Sequence, residues 1–315
     1  MPDPLRVLLT GASGYVGSRL AAELATSTDV TVRALVRKPV GYVQADSQLV
    51  VDLLGDPAEV VDACRGIDTV IHLAGHNEIV SAAEPERALL ETITASNRVG
   101  EAAAAAGVGR LIYVSTVHTY GARIVPGAVL REDDATQPRA IYAIARLTSE
   151  HLLASVASGP EVVIFRLTNS VGAPAHPDVN RWTLVANDLC RQAATTGTMK
   201  LLSSGVQWRD FIPLADVCRI LAATLAPGSL APGTYNLAAG QPHTVRQLAG
   251  MVQDAFEAEG EPRPELEAPP APADAPGPYH VSTARLETEG FRAEVSLAGA
   301  LTETVKFCLA HRDRL

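Results

Sequence analysis

A chain of 315 residues, 47% hydrophobic and 19% charged, can bury a substantial core, and this composition excludes wholesale disorder. Its formal charge of −9 argues against a nucleic-acid-binding surface as its main business, because phosphate contacts need clustered Lys and Arg; a small anionic ligand needs only a few local cations. Cys64, Cys190, Cys218 and Cys308 stand far apart with no CxxC pair, so they read as thiols in a reducing compartment rather than a disulfide frame or a metal site.

Short apolar runs alternate with helical patterns along the first half. RVLLT (6–10) reads as a strand, SRLAAELA (18–25) as a helix and TVRALV (31–36) as a strand. A short helix, PAEVVDACR (57–65), precedes the strand DTVIHLA (68–74). An Ala-rich helix over 86–106 leads to RLIYVS (110–115), and a helix from about 140 leads to EVVIFRL (161–167). This alternation predicts an α/β fold with a doubly wound parallel sheet of Rossmann type. After about 170 Pro and Gly become frequent and the elements shorter, so a second, smaller lobe is expected. EGEPRPELEAPPAPADAPGP (259–278) is expected to be a surface connection in that lobe. No apolar run reaches about 18 residues and no leader pattern is present, so a cytoplasmic protein without a membrane partner is expected.

TGASGYVG (10–17) lies between the first strand and the first helix. Gly11 permits a tight turn, Gly14 lets the backbone approach a pyrophosphate, and Gly17 allows close helix–strand packing. Ser13, Tyr15 and Val16 fill the turn and the helix start, where exposed N–H groups face phosphate charge. An NAD site places an acid at the end of the second strand to hold the ribose diol; here Val36 stands there, followed by Arg37 and Lys38. A guanidinium suits a 2′-phosphate, so the predicted cofactor is NADP(H); the alternative is two solvated cations in a loop.

YAIAR (142–146) sets a phenol and a cation one helical turn apart. That pair is either a proton donor beside a fixed charge or a surface stack on an amphipathic helix.

These segments together resemble the extended short-chain dehydrogenase/reductases, the branch of nucleotide-sugar epimerases, dehydratases and ketoreductases. TGASGYVG is similar to TGxxGxxG, Asp52-Leu53 to the acidic-apolar pair lining the adenine, and HLAG (72–75) to HLAA. YVSTVHTYG (113–121) resembles YxSSxxxYG, Tyr142 takes the tyrosine place of YxxxK, RLTNSVGAP (166–174) resembles RxxNxxGP, and QWRDFIPLADV (207–217) resembles RDFxxVxDV. The resemblance implies Tyr142 as general acid or base and Thr116 as hydrogen-bond donor to the reacting oxygen. Asp52, Leu53, Leu73, Ala74, Gly75 and Ser115 would line the cofactor, with Tyr142 and Arg146 against its nicotinamide end. His118, Asn169 and Arg209 would meet a nucleotide-sugar substrate. Residues 1–170 would form the NADP(H)-binding Rossmann domain, with a segment near 209–228 returning to it, and 171–315 mainly the substrate-binding lobe. Against these stand plainer readings: Thr116 as a strand-end hydroxyl, Asn169 as a turn-former and Arg209 as the partner of Asp210.

Three departures matter. Val117 and His118 replace the acid pair of dehydratases, which disfavours expulsion of water. Thr92 replaces the Asn of NxxGT. Arg146 replaces the Lys that holds the nicotinamide ribose and lends positive field to the tyrosine; arginine supplies field and donors but no proton relay. The reading is an NADPH-dependent ketoreductase similar to those of deoxysugar pathways, which take dTDP-4-keto-6-deoxyhexoses. The alternatives are a 4-epimerase with retained cofactor and a non-catalytic NADP(H) sensor. The resemblance also implies a homodimer through the helices near 86–106 and 140–157, although packing on the sheet explains their apolar faces equally well.

Overall fold

The computed structural model describes residues 3–315. Its elements in chain order are β1 (Leu5–Thr10), α1 (Tyr15–Leu24), β2 (Val30–Val36), β3 (Ser47–Val50), α2 (Pro57–Cys64), β4 (Thr69–His72), α3 (Glu78–Ala83), α4 (Pro85–Ala105), β5 (Arg110–Thr116), β6 (Val129–Leu130), α5 (Ile141–Ala154) and β7 (Glu161–Leu167). There follow β8 (Asn169–Val171), α6 (Val185–Thr196), β9 (Thr198–Lys200), β10 (Trp208–Pro213), α7 (Leu214–Ala223), β11 (Gly233–Leu237), β12 (Pro242–Thr244), α8 (Val245–Ala258), β13 (Glu265–Glu267), β14 (His280–Val281), α9 (Ala284–Thr288) and α10 (Leu297–Ala310). The chain divides into two compact units. One takes in the residues up to Arg123, Glu132–Leu167 and Cys218–Asn236; the other takes in Ile124–Arg131, Thr168–Val217 and Leu237–Leu315.

The first unit is a seven-stranded sheet in the order β11-β7-β5-β4-β1-β2-β3. From β3 to β7 the neighbours pair in parallel. Every residue of β4 and β5 is buried, as strands covered on both faces require. Leu8, Val70, Leu111 and Tyr113 pack with Val60, Cys64, Val99 and Ala103 of α2 and α4. The chain steps from β1 out to β3 and then back across to β4. The order therefore reverses between β1 and β4, the crevice where doubly wound sheets take ligands at their C-terminal strand ends.

The second unit packs α6, α8 and α10 around Leu189, Leu248, Val252, Leu301 and Val305. It carries a three-stranded sheet, β12-β10-β8, and two strand pairs, β13-β9 and β14-β6. The Pro-rich stretch is more ordered than a plain connection. Glu265–Glu267 pairs in parallel with Thr198–Lys200, and Trp208 Nε1 donates to the Pro276 carbonyl at 2.7 Å. The four cysteines are buried, and none of them forms a disulfide. Among the described residues no helix is long and apolar enough to cross a membrane, and no cluster of metal-ligating side chains occurs.

One charged network sits inside the first unit. Glu150 of α5 pairs with Arg166 of β7 at 2.8 Å, both side chains being buried. Arg166 also lies over the Tyr120 ring, 5.0 Å from its centroid, and the Tyr120 hydroxyl donates to Asn236 Oδ1 at 2.7 Å. Glu150→Ala strands the Arg166 charge in the core, at an expected cost of about 3–5 kcal/mol. Denaturant unfolding measures it, and a loss below about 1 kcal/mol, the worth of a surface pair, would show that the network is solvated.

Candidate active site

The glycine turn is built by close approach. Gly11 has φ 69°, and a Cβ there would lie 2.8 Å from the backbone N of Ala74, so the turn abuts the chain leaving β4. A Cβ on Gly17 would lie 2.2 Å from the Gly11 carbonyl oxygen, so α1 starts directly against the turn. Gly14 caps α1 without any side-chain hydrogen bond, as suits a helix start that faces a phosphate. Tyr15 is buried, Ser13 and Val16 are half-buried, and the Ser13 carbonyl accepts the Tyr42 hydroxyl at 3.1 Å. Beyond buried Val36, Arg37 and Lys38 are exposed at the end of β2. Neither makes a hydrogen bond or ion pair among the described residues. Asp52 follows β3 and commits one carboxylate oxygen to Leu54 N at 2.9 Å; the Leu53 carbonyl accepts Arg98 at 3.1 Å.

The end of β4 carries a buried polar chain. His72 Nδ1 meets Thr10 Oγ1 at 2.8 Å, and its Nε2 meets Ser96 Oγ at 3.1 Å. Burial, with the charge of Arg146 adding to it, pushes the His72 imidazole down to about 3. Leu73 and Ala74 are half-buried, and exposed Gly75 has φ 145°. Thr92 accepts the His76 N–H at 3.2 Å, so the residue in the asparagine's place holds the loop that follows Gly75.

The end of β5 divides its hydroxyls between two tasks. The Ser115 hydroxyl donates to Glu150, so its side chain belongs to the core network and only its backbone is left for a cofactor. Thr116 Oγ1 accepts the His118 N–H at 3.3 Å, and His118 is exposed.

On α5, Tyr142 is half-buried and Arg146 is 7% exposed. The guanidinium carbon lies 5.6 Å from the Tyr142 ring centroid and 5.9 Å from that of Tyr113, within cation–π range. Nη1 has three long contacts, to the Tyr113 hydroxyl at 3.4 Å and to the Ala74 and Val114 carbonyls at 3.5 Å. Nε is buried with no partner at all. A buried guanidinium without a carboxylate, its donors half used, fits the acceptor oxygens of a ribose diol. Tyr113 is the site residue that the sequence pattern left unmarked, although it opens the YVSTVHTYG motif three residues before Thr116.

The second unit keeps its polar candidates apart from simple pairing. Arg209 is not the partner of Asp210: it donates to the Trp208 carbonyl at 3.0 Å. Asp210 accepts Thr168 Oγ1 at 2.7 Å and Ala239 N at 2.9 Å, and burial raises its carboxyl. Asn169 Nδ2 donates to the Asp210 carbonyl at 2.9 Å.

Residues 7–238 match the NAD dependent epimerase/dehydratase family. The chain belongs to this family. It is an enzyme of the extended short-chain dehydrogenase/reductase type. It is 31% identical over 305 residues to a dTDP-6-deoxy-L-talose 4-dehydrogenase (NAD(P)(+)) of Kitasatospora kifunensis, covering 94% of this chain and 89% of that one. To a UDP-glucose 4-epimerase of Corynebacterium glutamicum it is 30% identical, over 84% of each chain. Among solved structures it is similar to MoeE5 in complex with UDP-glucuronic acid and NAD, with TM-score 0.79, 26% identity, and 97% and 98% of the two chains covered. These relatives carry different names for substrate and reaction, so membership alone leaves the choice among them to the site.

The neutral His72 gives a pH signature. The unfolded chain takes up this proton near pH 6.5 and the native imidazole only near 3. Its stabilising effect is therefore full above pH 6.5 and is lost by up to about 1.4 kcal/mol per pH unit below it. His72→Asn is expected to flatten that acid limb in urea unfolding measured from about pH 7 to 5. An unchanged slope would mean that His72 protonates freely in the native state.

Proposed function

We propose that the chain is an NADPH-dependent ketoreductase acting on a nucleotide-activated keto sugar, of the dTDP-4-keto-6-deoxyhexose class, in deoxysugar biosynthesis. The observation that carries it is the end of β2. Two exposed cations without carboxylate partners follow a buried valine where a ribose-binding acid would stand, an arrangement that suits a 2′-phosphate. Reduction is the direction that phosphorylated cofactor usually serves, and the similarity to a dTDP-6-deoxy-L-talose 4-dehydrogenase (NAD(P)(+)) supports hydride chemistry on a dTDP-deoxysugar.

NADPH, when bound, supplies the hydride. Gly11, Gly14, Gly17 and the uncapped start of α1 would hold its diphosphate, Arg37 and Lys38 its 2′-phosphate, and Arg146 the nicotinamide ribose. Ser13, Tyr15, Val16, Asp52, Leu53, Leu73, Ala74, Gly75 and the Ser115 backbone would complete the lining. Tyr142 gives its phenolic proton to the carbonyl oxygen as that oxygen becomes an alkoxide, and solvent returns the proton afterwards. Thr116, whose oxygen already accepts the His118 N–H, has its own proton to donate to the same oxygen. Arg146, fixed in charge, lends the field beside Tyr142 but relays no proton. Arg209, free of Asp210, is assigned to the substrate diphosphate, and Asn169 and His118 to substrate contacts. A homodimer through α4 and α5 belongs to this reading, supported by Leu90, a 64% exposed leucine on α4.

The similarity to a UDP-glucose 4-epimerase supports a second reading, in which one carbon is oxidised and re-reduced on retained cofactor. Stoichiometry separates the two. With a panel of dTDP- and UDP-keto sugars and their 4-hydroxy counterparts, a reductase consumes one NADPH per product. Turnover without loss of the reduced-nicotinamide absorbance band makes it an epimerase. Tyr142→Phe is expected to lower turnover by about 10²–10⁴-fold with NADPH binding intact, and unchanged turnover removes the phenol from the mechanism. Arg37→Ala is expected to weaken NADPH by about ten-fold or more and NADH hardly at all, since only NADPH carries the charge it meets; equal losses would refute the phosphate assignment.

A further inference from the structure

The guanidinium of Arg146 lies directly under the backbone of Gly75. A Cβ built on Gly75 would stand 3.0 Å from Nη2, 3.1 Å from Cζ and 3.2 Å from Nη1 of Arg146, well inside the ~3.5–4.0 Å of comfortable heavy-atom contact. The guanidinium also lies 5.9 Å from the Tyr113 ring centroid, and its Nη1 donates to the Tyr113 hydroxyl at 3.4 Å. All three hydrogen bonds of Nη1 are long and Nε has none. Space, rather than saturated hydrogen bonding, therefore fixes this side chain, and its unused donors stay available to a ligand.

We propose that Gly75 and Tyr113 are positioning residues, forming a seat shaped for an arginine at position 146 and selecting it over lysine. The inference rests on the reading of Arg146 as the residue that holds the nicotinamide ribose. A lysine in its place has one nitrogen on a flexible stem and no plane to be covered. It presents no plane to a methyl group at position 75, whereas an arginine must give way there by a few tenths of an ångström. The same methyl group would push the guanidinium off the two tyrosine faces and turn its free donors away from the ribose.

A double-mutant cycle of Gly75→Ala and Arg146→Lys tests the coupling. Two quantities are read for all four chains: the urea unfolding midpoint without ligand, and the Kd for NADPH and for NADH by titration calorimetry. The strain of alanine at φ 145° is common to both backgrounds and cancels in the cycle. With Arg146 present, Gly75→Ala is expected to weaken dinucleotide binding by about ten-fold or more; in the Arg146→Lys background, by about two-fold or less, with a smaller drop in midpoint. Arg146→Lys thus rescues what the alanine destroys. Equal losses in both backgrounds, in affinity and in midpoint, overturn the seat. If Gly75→Ala folds only in the Arg146→Lys background the coupling is shown in its strongest form, and failure to fold in either overturns it. If the chain binds neither dinucleotide, the cofactor assignment fails, and the unfolding cycle alone still decides the seat. Tyr113→Phe, which keeps the ring and loses the oxygen, is expected to weaken binding only when Arg146 is present; an equal effect in the Arg146→Lys background would remove Tyr113 from the proposal.

Discussion

A permanent positive charge is held inside the first unit with no carboxylate to answer it. Arg146 and Glu150 are one turn apart on α5 and both buried, so the simplest arrangement would be to pair them. Glu150 is instead committed to Arg166 and Ser115. A buried uncompensated charge is among the costlier features a core can carry. The surroundings bear the mark of that cost: two tyrosine faces turned to the guanidinium, carbonyls at long range from two strand ends, and a histidine held neutral nearby. An oxygen-rich ligand would relieve it. The charge is therefore best understood as half of an interaction whose other half arrives with the cofactor.

The sheet order is what gathers these groups. Strand ends at β4 and β5 deliver Ala74, Tyr113 and Val114 to the guanidinium because β4 and β5 are parallel neighbours, in register at His72 and Tyr113. The same β4 exit touches the glycine turn through Gly11 and Ala74, so the phosphate cradle and the arginine seat are built on one short segment, Leu73–Gly75. A shift in that segment moves both. This explains why the chain there is tied down repeatedly: Leu73 N and Ala74 N donate to Thr10 Oγ1, and His76 N donates to Thr92.

Much of the first unit is legible in the sequence because its strands are fully buried and read as unbroken apolar runs between clear helical periods. β4 and β5 are the clearest cases. β3 escapes notice for the opposite reason: SQLV is four residues at the sheet edge, mostly exposed, and bears no pattern. β11 escapes because it joins the sheet from far along the chain, and no local signal reports such a partner. At the site, residue types announce Tyr142, Thr116 and the glycines, but not which hydroxyl faces where. Ser115 and Thr116 look alike in sequence, yet alternation along a strand sends one to Glu150 and the other to the His118 backbone. Adjacent Arg209 and Asp210 suggest a pair for the same want of geometry, since neighbours on a strand point to opposite faces.

The distribution of charge completes the argument for an anionic ligand. The chain carries 35 acidic and 26 basic side chains, so a carboxylate is available to almost any cation that needs one. Arg6, Arg87, Arg110, Arg166 and Arg263 all take one. Arg33, Arg98 and Arg246 are spent on backbone carbonyls instead. Arg37, Lys38, Arg146 and Arg209 have no carboxylate either, among the described residues, although they range from exposed to deeply buried. Three of the four sit at strand ends or on the helix beside them in the sheet unit, and the fourth opens β10. Cations without a carboxylate at such positions suit an anionic ligand. The dinucleotides and nucleotide sugars on which this family works carry charge of the matching sign.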